Sequence, residues 1–125
     1  MDLRERDLAY IAGFIDGEGS ITSGGRRCTL KVNATNIDKE PLEFIQRMFG
    51  GSIYECPPKK LEWRTIFRWV IGGASALVVL ESLLPYFIIK RKQALLGIEL
   101  AKSSDMGRQA SIVVELKVLK HLHYQ

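Results

Sequence analysis

One stretch, residues 8–20 with the sequence LAYIAGFIDGEGS, constrains the fold of this chain more than any other. On a helical wheel at about 100° per residue, its large apolar side chains and its small residues fall on different faces. The large face carries Leu8, Ile11, Phe14 and Ile15, and the small face carries Ala9, Ala12, Gly13, Asp16 and Gly17. A face nearly without side chains lets a second backbone approach closer than the usual interhelical distance of about 8 to 10 Å. The pattern therefore predicts a helix between the core of the chain and a closely packed partner.

The end of this helix is a candidate metal site. Gly19 tolerates the positive φ that is common just beyond a helix C-terminus, so we expect the helix to stop there with Glu18 at a sharply defined place. If the partner on the small face is a second copy of the same helix, two Glu18 carboxylates meet at the foot of the pair. The carbonyl of Gly17 is then an extra candidate ligand.

The rest of the chain predicts an α+β fold. Residues 20–23 and 28–36 predict one hairpin, and residues 52–56 and 62–71 predict another. Helices are expected at 38–49, with Asp38 as N-cap, and at 74–84. This gives the order αββαββα in a single domain, 1–125, followed by C-terminal helices at 95–102 and 110–122. Residues 112–118 also alternate as a strand does, but the spacing of Ile112 and Leu116 favours a helix.

Composition limits the function classes only mildly. The chain has 18 Lys and Arg against 14 Asp and Glu, a net charge of +4 that fits an anionic partner without establishing one. The chain has no run of 18 or more apolar residues, and its N-terminus is charged. We therefore expect a soluble protein that has no membrane partner and is not secreted. An intracellular location follows, in the cytoplasm, nucleoid or an organelle. Cys28 and Cys56 lack CxxC spacing and are expected to be free thiols.

The segment IAGFIDGEG, with Leu8 and Ala9 before it and Ser20 and Ile21 after it, resembles the signature of the LAGLIDADG homing endonucleases. Glu18 stands where the signature has Asp, and this substitution keeps an anionic oxygen ligand. The resemblance implies the fold of that family, in which the antiparallel sheet forms a saddle that binds double-stranded DNA. The order αββαββα predicted from the sequence pattern agrees with it.

A second informative run is KRKQA at residues 90–94. Three consecutive cations at the start of a helix are poorly placed for the helix dipole, so their position needs another reason. In single-motif members of the family a similar run follows the same helix, and its first lysine points into the active site; here that residue is Lys90. A plain basic helical turn is the alternative. Lys92 is expected to contact the DNA backbone.

Asn36 lies close to the place where the family often carries a polar side chain that orders water near the metal. Asn36 could equally cap the turn before Asp38, and the sequence leaves these two roles open.

The predicted sheet offers a polar face for DNA. In the second strand polar residues alternate with apolar ones, and their side chains suit base edges and phosphates in a major groove. Two arginines of the fourth strand project beside this row, and two more at the first turn are placed to hold the flanking backbone. The expected DNA contacts are Arg26, Arg27, Thr29, Lys31, Asn33, Thr35, Arg64 and Arg68. A merely solvated sheet face is the alternative.

The chain holds one copy of the signature, so it supplies one catalytic carboxylate, whereas cleaving two DNA strands needs two. We therefore expect a homodimer with Ala9, Ala12, Gly13 and Asp16 at the two-fold axis. Asp16 is expected to be structural, as a cap or in a cross-helix hydrogen bond, with its partner unassigned.

The resemblance implies metal-dependent hydrolysis of both strands of duplex DNA at a long pseudo-palindromic site. It also implies a role in intron homing. Glu18, Lys90 and Asn36 are the candidate catalytic residues. Mg²⁺ suits the oxygen ligands, and Mn²⁺ or Ca²⁺ can substitute for it in binding. Two alternatives remain: an RNA-binding intron maturase on the same scaffold, and a catalytically inactive DNA-binding regulator.

Overall fold

A computed structural model describes residues 2–24, 28–60 and 64–123. Its elements are α1 (Leu3–Glu18), β1 (Gly19–Gly24), β2 (Thr29–Asn36), α2 (Glu40–Phe49), β3 (Ser52–Cys56), β4 (Ile66–Gly72), α3 (Gly73–Leu83), a 3-10 turn (Leu84–Tyr86), α4 (Arg91–Lys102) and α5 (Met106–His123). The α+β class and the order αββαββα with added C-terminal helices are thereby confirmed. Arg26 and Arg27 lie outside the described residues, as do residues 62 and 63 of the predicted fourth strand.

The four strands form one antiparallel sheet in the order β1-β2-β4-β3. Ala34 pairs with Trp69, and Trp69 pairs with Ile53, so these three residues form one row on the same face. The face that holds this row is turned to the core. The predicted alternation in β2 is confirmed, because Leu30, Val32 and Ala34 are buried on it.

The helices cover the core face of the sheet. α1 contacts β1, β2 and α3, and its Ile11 and Ile15 are completely buried. Fully burying a side chain of this size stabilises the fold by about 1.5–3 kcal/mol. α2 contacts β2, β3 and β4. The indole Nε1 of Trp69 donates a hydrogen bond to the carbonyl of Gly50 at 2.8 Å, which ties the end of α2 to the sheet.

The junction of α1 and β1 corrects the expectation for Gly19. Its φ is −115°, so the helix passes into the strand without a left-handed residue. Glycine is required here for a different reason. A Cβ at Gly19 would lie 2.6 Å from the backbone oxygen of Asn33 and 2.9 Å from Cγ2 of Ile15. The absence of a side chain therefore lets the end of α1 lie directly against β2.

The start of α2 is a second correction. Lys39, not Asp38, occupies the N-cap position, and it makes no side-chain capping hydrogen bond. The physical reason lies in Asn36, whose Oδ1 accepts a hydrogen bond from the backbone N–H of Asp38 at 2.9 Å. An asparagine side chain commonly closes a turn onto the backbone two residues further on. Asp38 thus belongs to the turn that precedes the helix.

The C-terminal region settles the choice between strand and helix. α5 is helical throughout 106–123, and its Ile112 and Leu116 are buried against the rest of the core. α5 packs on α4 and on β1, the edge strand of the sheet. Several predicted boundaries also move: β4 begins at Ile66, and α3 runs from Gly73 to Leu83. The two C-terminal helices begin earlier than predicted, at Arg91 and Met106.

Two expectations from composition can be compared with the structure. Cys28 and Cys56 are both free thiols, as predicted. Within the described ranges, the helices are too short or too polar to cross a membrane.

Candidate active site

The end of α1 and the start of α4 meet through a buried aspartate. The Asp16 carboxylate accepts hydrogen bonds from the backbone N–H groups of Ile88 at 2.8 Å, Ile89 at 3.2 Å and Lys90 at 2.9 Å. In return, Nζ of Lys90 donates a hydrogen bond to the backbone carbonyl of Asp16 at 2.6 Å. Four hydrogen bonds therefore join the foot of α1 to a segment more than seventy residues further along the chain.

Asp16 lies beside the first of the three consecutive cations. Asp16 places a negative charge beside the positive N-terminal end of α4, where the helix dipole favours an anion. The three side chains then differ in environment: Lys90 is buried, whereas Arg91 and Lys92 are exposed. Arg91 donates a hydrogen bond to the carbonyl of Leu84. Lys90 is thus the cation that the fold turns inward, toward the end of α1.

Glu18 is the last residue of α1, and its side chain is exposed. The last carbonyls of a helix lack intrahelical partners and carry the negative end of the dipole, so this end attracts cations. Within the described part of the chain, no group of three or more His, Cys, Asp or Glu could hold a metal ion. The donor set of this chain, the Glu18 carboxylate and the neighbouring Gly17 carbonyl, has the hard oxygens that Mg²⁺ prefers but amounts to part of a site.

Asn36 lies at the end of β2, half-buried. Pairing of β1 with β2 begins at Gly19 opposite Ala34, so Asn36 lies two residues beyond, on the side where α1 ends. Its Oδ1 closes the turn onto Asp38, which confirms the capping alternative. The role in ordering water remains a prediction.

The face of the sheet opposite the core carries most of the predicted DNA contacts. The register places Asn33 and Thr35 of β2 on this face with Arg68 of β4. Lys31 and Arg68 are exposed, Thr29 and Thr35 are half-buried, and Arg64 is exposed just before β4.

Asn33 departs from the prediction of a row open to solvent. Only 8% of it is exposed, and its Oδ1 accepts a hydrogen bond from Ser20 Oγ on the neighbouring strand at 3.0 Å. Sequence reasoning also missed Tyr54, which pairs with Arg68 on the same face and is 57% exposed. The alternation within β3 was the available signal for it.

The small face of α1 is partly open to solvent and partly covered by the rest of the chain. Gly13 and Gly17 are exposed, with no atom within 4 Å of an added Cβ, and Ala9 is half-buried. Ala12 is fully buried in the chain's own core, and Asp16 is committed to the turn at residues 88–90. The packing of α1 against its own chain therefore covers Ala12 and Asp16, so Gly13 and Gly17 are the residues of this face that stay open. The predicted contact of this face with a second helix remains a prediction.

Two exposed apolar residues adjoin this surface, and sequence reasoning missed them. Ile88 is 86% exposed and Ile89 is 51% exposed, and the backbone of both is bonded to Asp16.

The signature, the sheet and the junction of α1 with α4 together define a known class of protein. Residues 5–83 match the family described as a LAGLIDADG-like domain, and the chain belongs to this family. Among individual relatives, the DNA endonuclease I-CvuI of Chlorella vulgaris is 29% identical over 124 residues, which cover 90% of this chain and 74% of that protein.

Solved structures of homing endonucleases in complex with DNA share the fold. The homing endonuclease I-CvuI, in complex with the I-CreI target in the presence of 2 mM Mg, matches with a TM-score of 0.66 and 23% identity, over 93% of this chain and 78% of that one. The archaeal intron-encoded homing endonuclease I-Vdi141I, complexed with DNA, matches with a TM-score of 0.71 and 21% identity, over 92% of this chain and 84% of that one.

Proposed function

We propose that this protein is a site-specific homing endonuclease that hydrolyses both strands of duplex DNA as a metal-dependent homodimer. The observation that carries the proposal is the buried Lys90 ammonium, bonded to the carbonyl of Asp16 only two residues before Glu18. Phosphodiester hydrolysis needs anionic oxygen ligands for a metal and a positive charge near the phosphate. The two relatives named above, I-CvuI and I-Vdi141I, are endonucleases with structures in complex with DNA, which supports the same activity here.

Each candidate residue has a distinct role in this proposal. The Glu18 carboxylate and the Gly17 carbonyl hold Mg²⁺, and Mn²⁺ or Ca²⁺ can take its place in binding. When bound, the metal polarises the phosphate and activates water. Lys90, desolvated by its burial, offsets negative charge that develops on the phosphate oxygens during attack. Asn36 orders the attacking water near the end of α1.

The exposed surface of α1 supports the homodimer. Gly13 and Gly17 leave room for a second backbone, and Ile88 and Ile89 add apolar surface beside them. Exposed apolar surface of this kind often marks a protein interface. A two-fold axis along this surface would bring the two Glu18 carboxylates together, each chain completing the other's site. The dimer then reads a long pseudo-palindromic target.

The polar face of the sheet supports duplex DNA as the substrate. Lys31 and Arg68 are exposed on it, and a chain with a net charge of +4 is suited to a phosphate backbone. Buried residues of one hydrophobic cluster run from Leu8 to Leu116, which supports a single domain as the unit that binds each half-site.

The decisive experiment is selection of cleaved sites from a randomised duplex DNA library in Mg²⁺. The wild type should cleave a specific sequence, Glu18→Gln should bind that sequence without cleaving it, and removal of the metal with EDTA should stop cleavage by the wild type. Glu40→Gln, the same change at an exposed residue of α2, is the matched control and should cleave normally.

Three outcomes would contradict parts of the proposal. Cleavage by Glu18→Gln would remove Glu18 from its role. Specific binding without cleavage by the wild type would favour the inactive regulator. An affinity for an intron transcript equal to that for duplex DNA would favour the maturase.

A further inference from the structure

We infer that Asp16 is the positioning residue of Lys90: it sets the place of the lysine ammonium at the end of α1. This inference rests on the proposed function, because it concerns the catalytic cation of that reaction. It goes beyond the role expected for Asp16 from the sequence, which was a structural one as a cap or in a cross-helix hydrogen bond.

The carboxylate of Asp16 holds the backbone of Lys90 and of the two residues before it. Both carboxylate oxygens of Asp16 are used: Oδ2 accepts from Ile88 and Ile89, and Oδ1 accepts from Lys90. Three consecutive N–H groups directed at one carboxylate fix the whole turn, including the Cα of Lys90. Hydrogen bonds to an ionised acceptor are about twice as strong as neutral ones.

The side chain of Lys90 is held at the same residue. Nζ of Lys90 is bonded at 2.6 Å to the backbone carbonyl of Asp16, the residue whose carboxylate holds the Lys90 N–H. Asp16 therefore fixes the lysine at both of its ends. Because Glu18 follows two residues later on the same helix, the distance between the ammonium and the Glu18 backbone is set within one turn of α1.

Position 16 requires an aspartate rather than an asparagine. An asparagine has the same shape but one acceptor oxygen, and its NH₂ group would face backbone N–H groups. Asp16→Asn therefore loses at least one of the three hydrogen bonds and loosens the turn. A displacement of about 1 Å at a catalytic group can cost about 100-fold in rate.

The first measurement needs no DNA. We would label the lysines of the intact protein with an acetylating reagent and follow each site by mass spectrometry. Lys90, which is 2% exposed, should react slowly in the wild type. It should react at least about 10-fold faster in Asp16→Asn, because a lost hydrogen bond to a charged group is worth about 1.5–3 kcal/mol and each 1.4 kcal/mol is about tenfold. Lys102, exposed at the far end of α4, is the internal reference and should not change. An unchanged rate at Lys90 would overturn the inference.

The second measurement uses single-turnover cleavage of the selected DNA site by Asp16→Asn, Lys90→Met and the double variant. Asp16→Asn should lower the rate about 10- to 100-fold with less than about a 2-fold change in DNA Kd. If Asp16 acts through Lys90, the double variant should cleave as slowly as Lys90→Met alone. Multiplicative losses in the double variant would show a separate, structural effect and would contradict the inference.

Two further variants are controls, one for a general loss of stability and one for the charge at position 16. Ile112→Ala destabilises the core at a residue of α5 and should leave both Lys90 labelling and the cleavage rate unchanged. Asp16→Glu keeps the charge and both acceptor oxygens, so it should recover part of the loss and also serves if Asp16→Asn does not fold.

The two proposals can fail separately. A wild type that cleaves no DNA would defeat the proposed function, while the labelling experiment would still decide whether Asp16 positions Lys90.

Discussion

Gly13 offers the sharpest test of the proposed dimer, because folding and association should respond to its substitution in opposite directions. No atom of the chain lies within 4 Å of a Cβ added at Gly13, so the protomer has room for a larger side chain. Gly is about 0.8–1 kcal/mol less favourable than Ala in a helix interior, and Leu ranks just below Ala. Gly13→Leu should therefore raise the free energy of unfolding of the isolated protomer by roughly this amount.

The dimer should be weakened by the same change. An overpacked side chain costs about 1–3 kcal/mol, and the two-fold axis brings two leucines to the interface, so the total is about 2–6 kcal/mol. At about 1.4 kcal/mol per factor of ten, the dimer Kd should rise by a factor between about 30 and 20,000.

Sedimentation velocity over a concentration series gives the dimer Kd, and urea unfolding below that Kd gives the stability of the protomer. Gly107→Leu, the same change at an exposed position near the start of α5, is the control and should leave the dimer intact. If Gly13→Leu associates with a Kd within about threefold of the wild type, α1 does not form the interface and the reasoning fails.

Two further predictions concern stability. Gly19→Ala should destabilise the fold by about 3 kcal/mol, the upper end of overpacking costs, because the new Cβ would meet a backbone oxygen of Asn33 at 2.6 Å; equal urea midpoints for variant and wild type would contradict this. The hydrogen bond from Arg108 holds the pKa of Glu99 below its usual value of 4.5, so the pair stabilises the fold above that pH and loses this contribution as the pH falls through the lowered pKa. The stability difference between wild type and Glu99→Gln should accordingly shrink toward zero on acidification, and a difference that grows would show the opposite sign of coupling.

Local patterns predicted most of the elements because their signals lie within a few residues of each other. The period of two in β2 and the helical spacing of Ile112 and Leu116 each survive in the structure, since both depend on which side chains one element can bury. The residues at the start of α2 were less predictable. Asp38 and Asn36 compete for the same turn, and the geometry of the strand end decided in favour of Asn36.

The sequence by itself determined the family and the order of elements, because these depend on residue identity and spacing. Through the resemblance to that family it also indicated three candidate catalytic residues, Glu18, Lys90 and Asn36. The tertiary structure decided what each small or acidic residue of α1 does. Ala12 and Gly13 are neighbouring small residues, yet Ala12 is completely buried and Gly13 is open. Asp16 binds a turn more than seventy residues away, a contact that no local pattern encodes because it exists only when α1 and α4 are packed together.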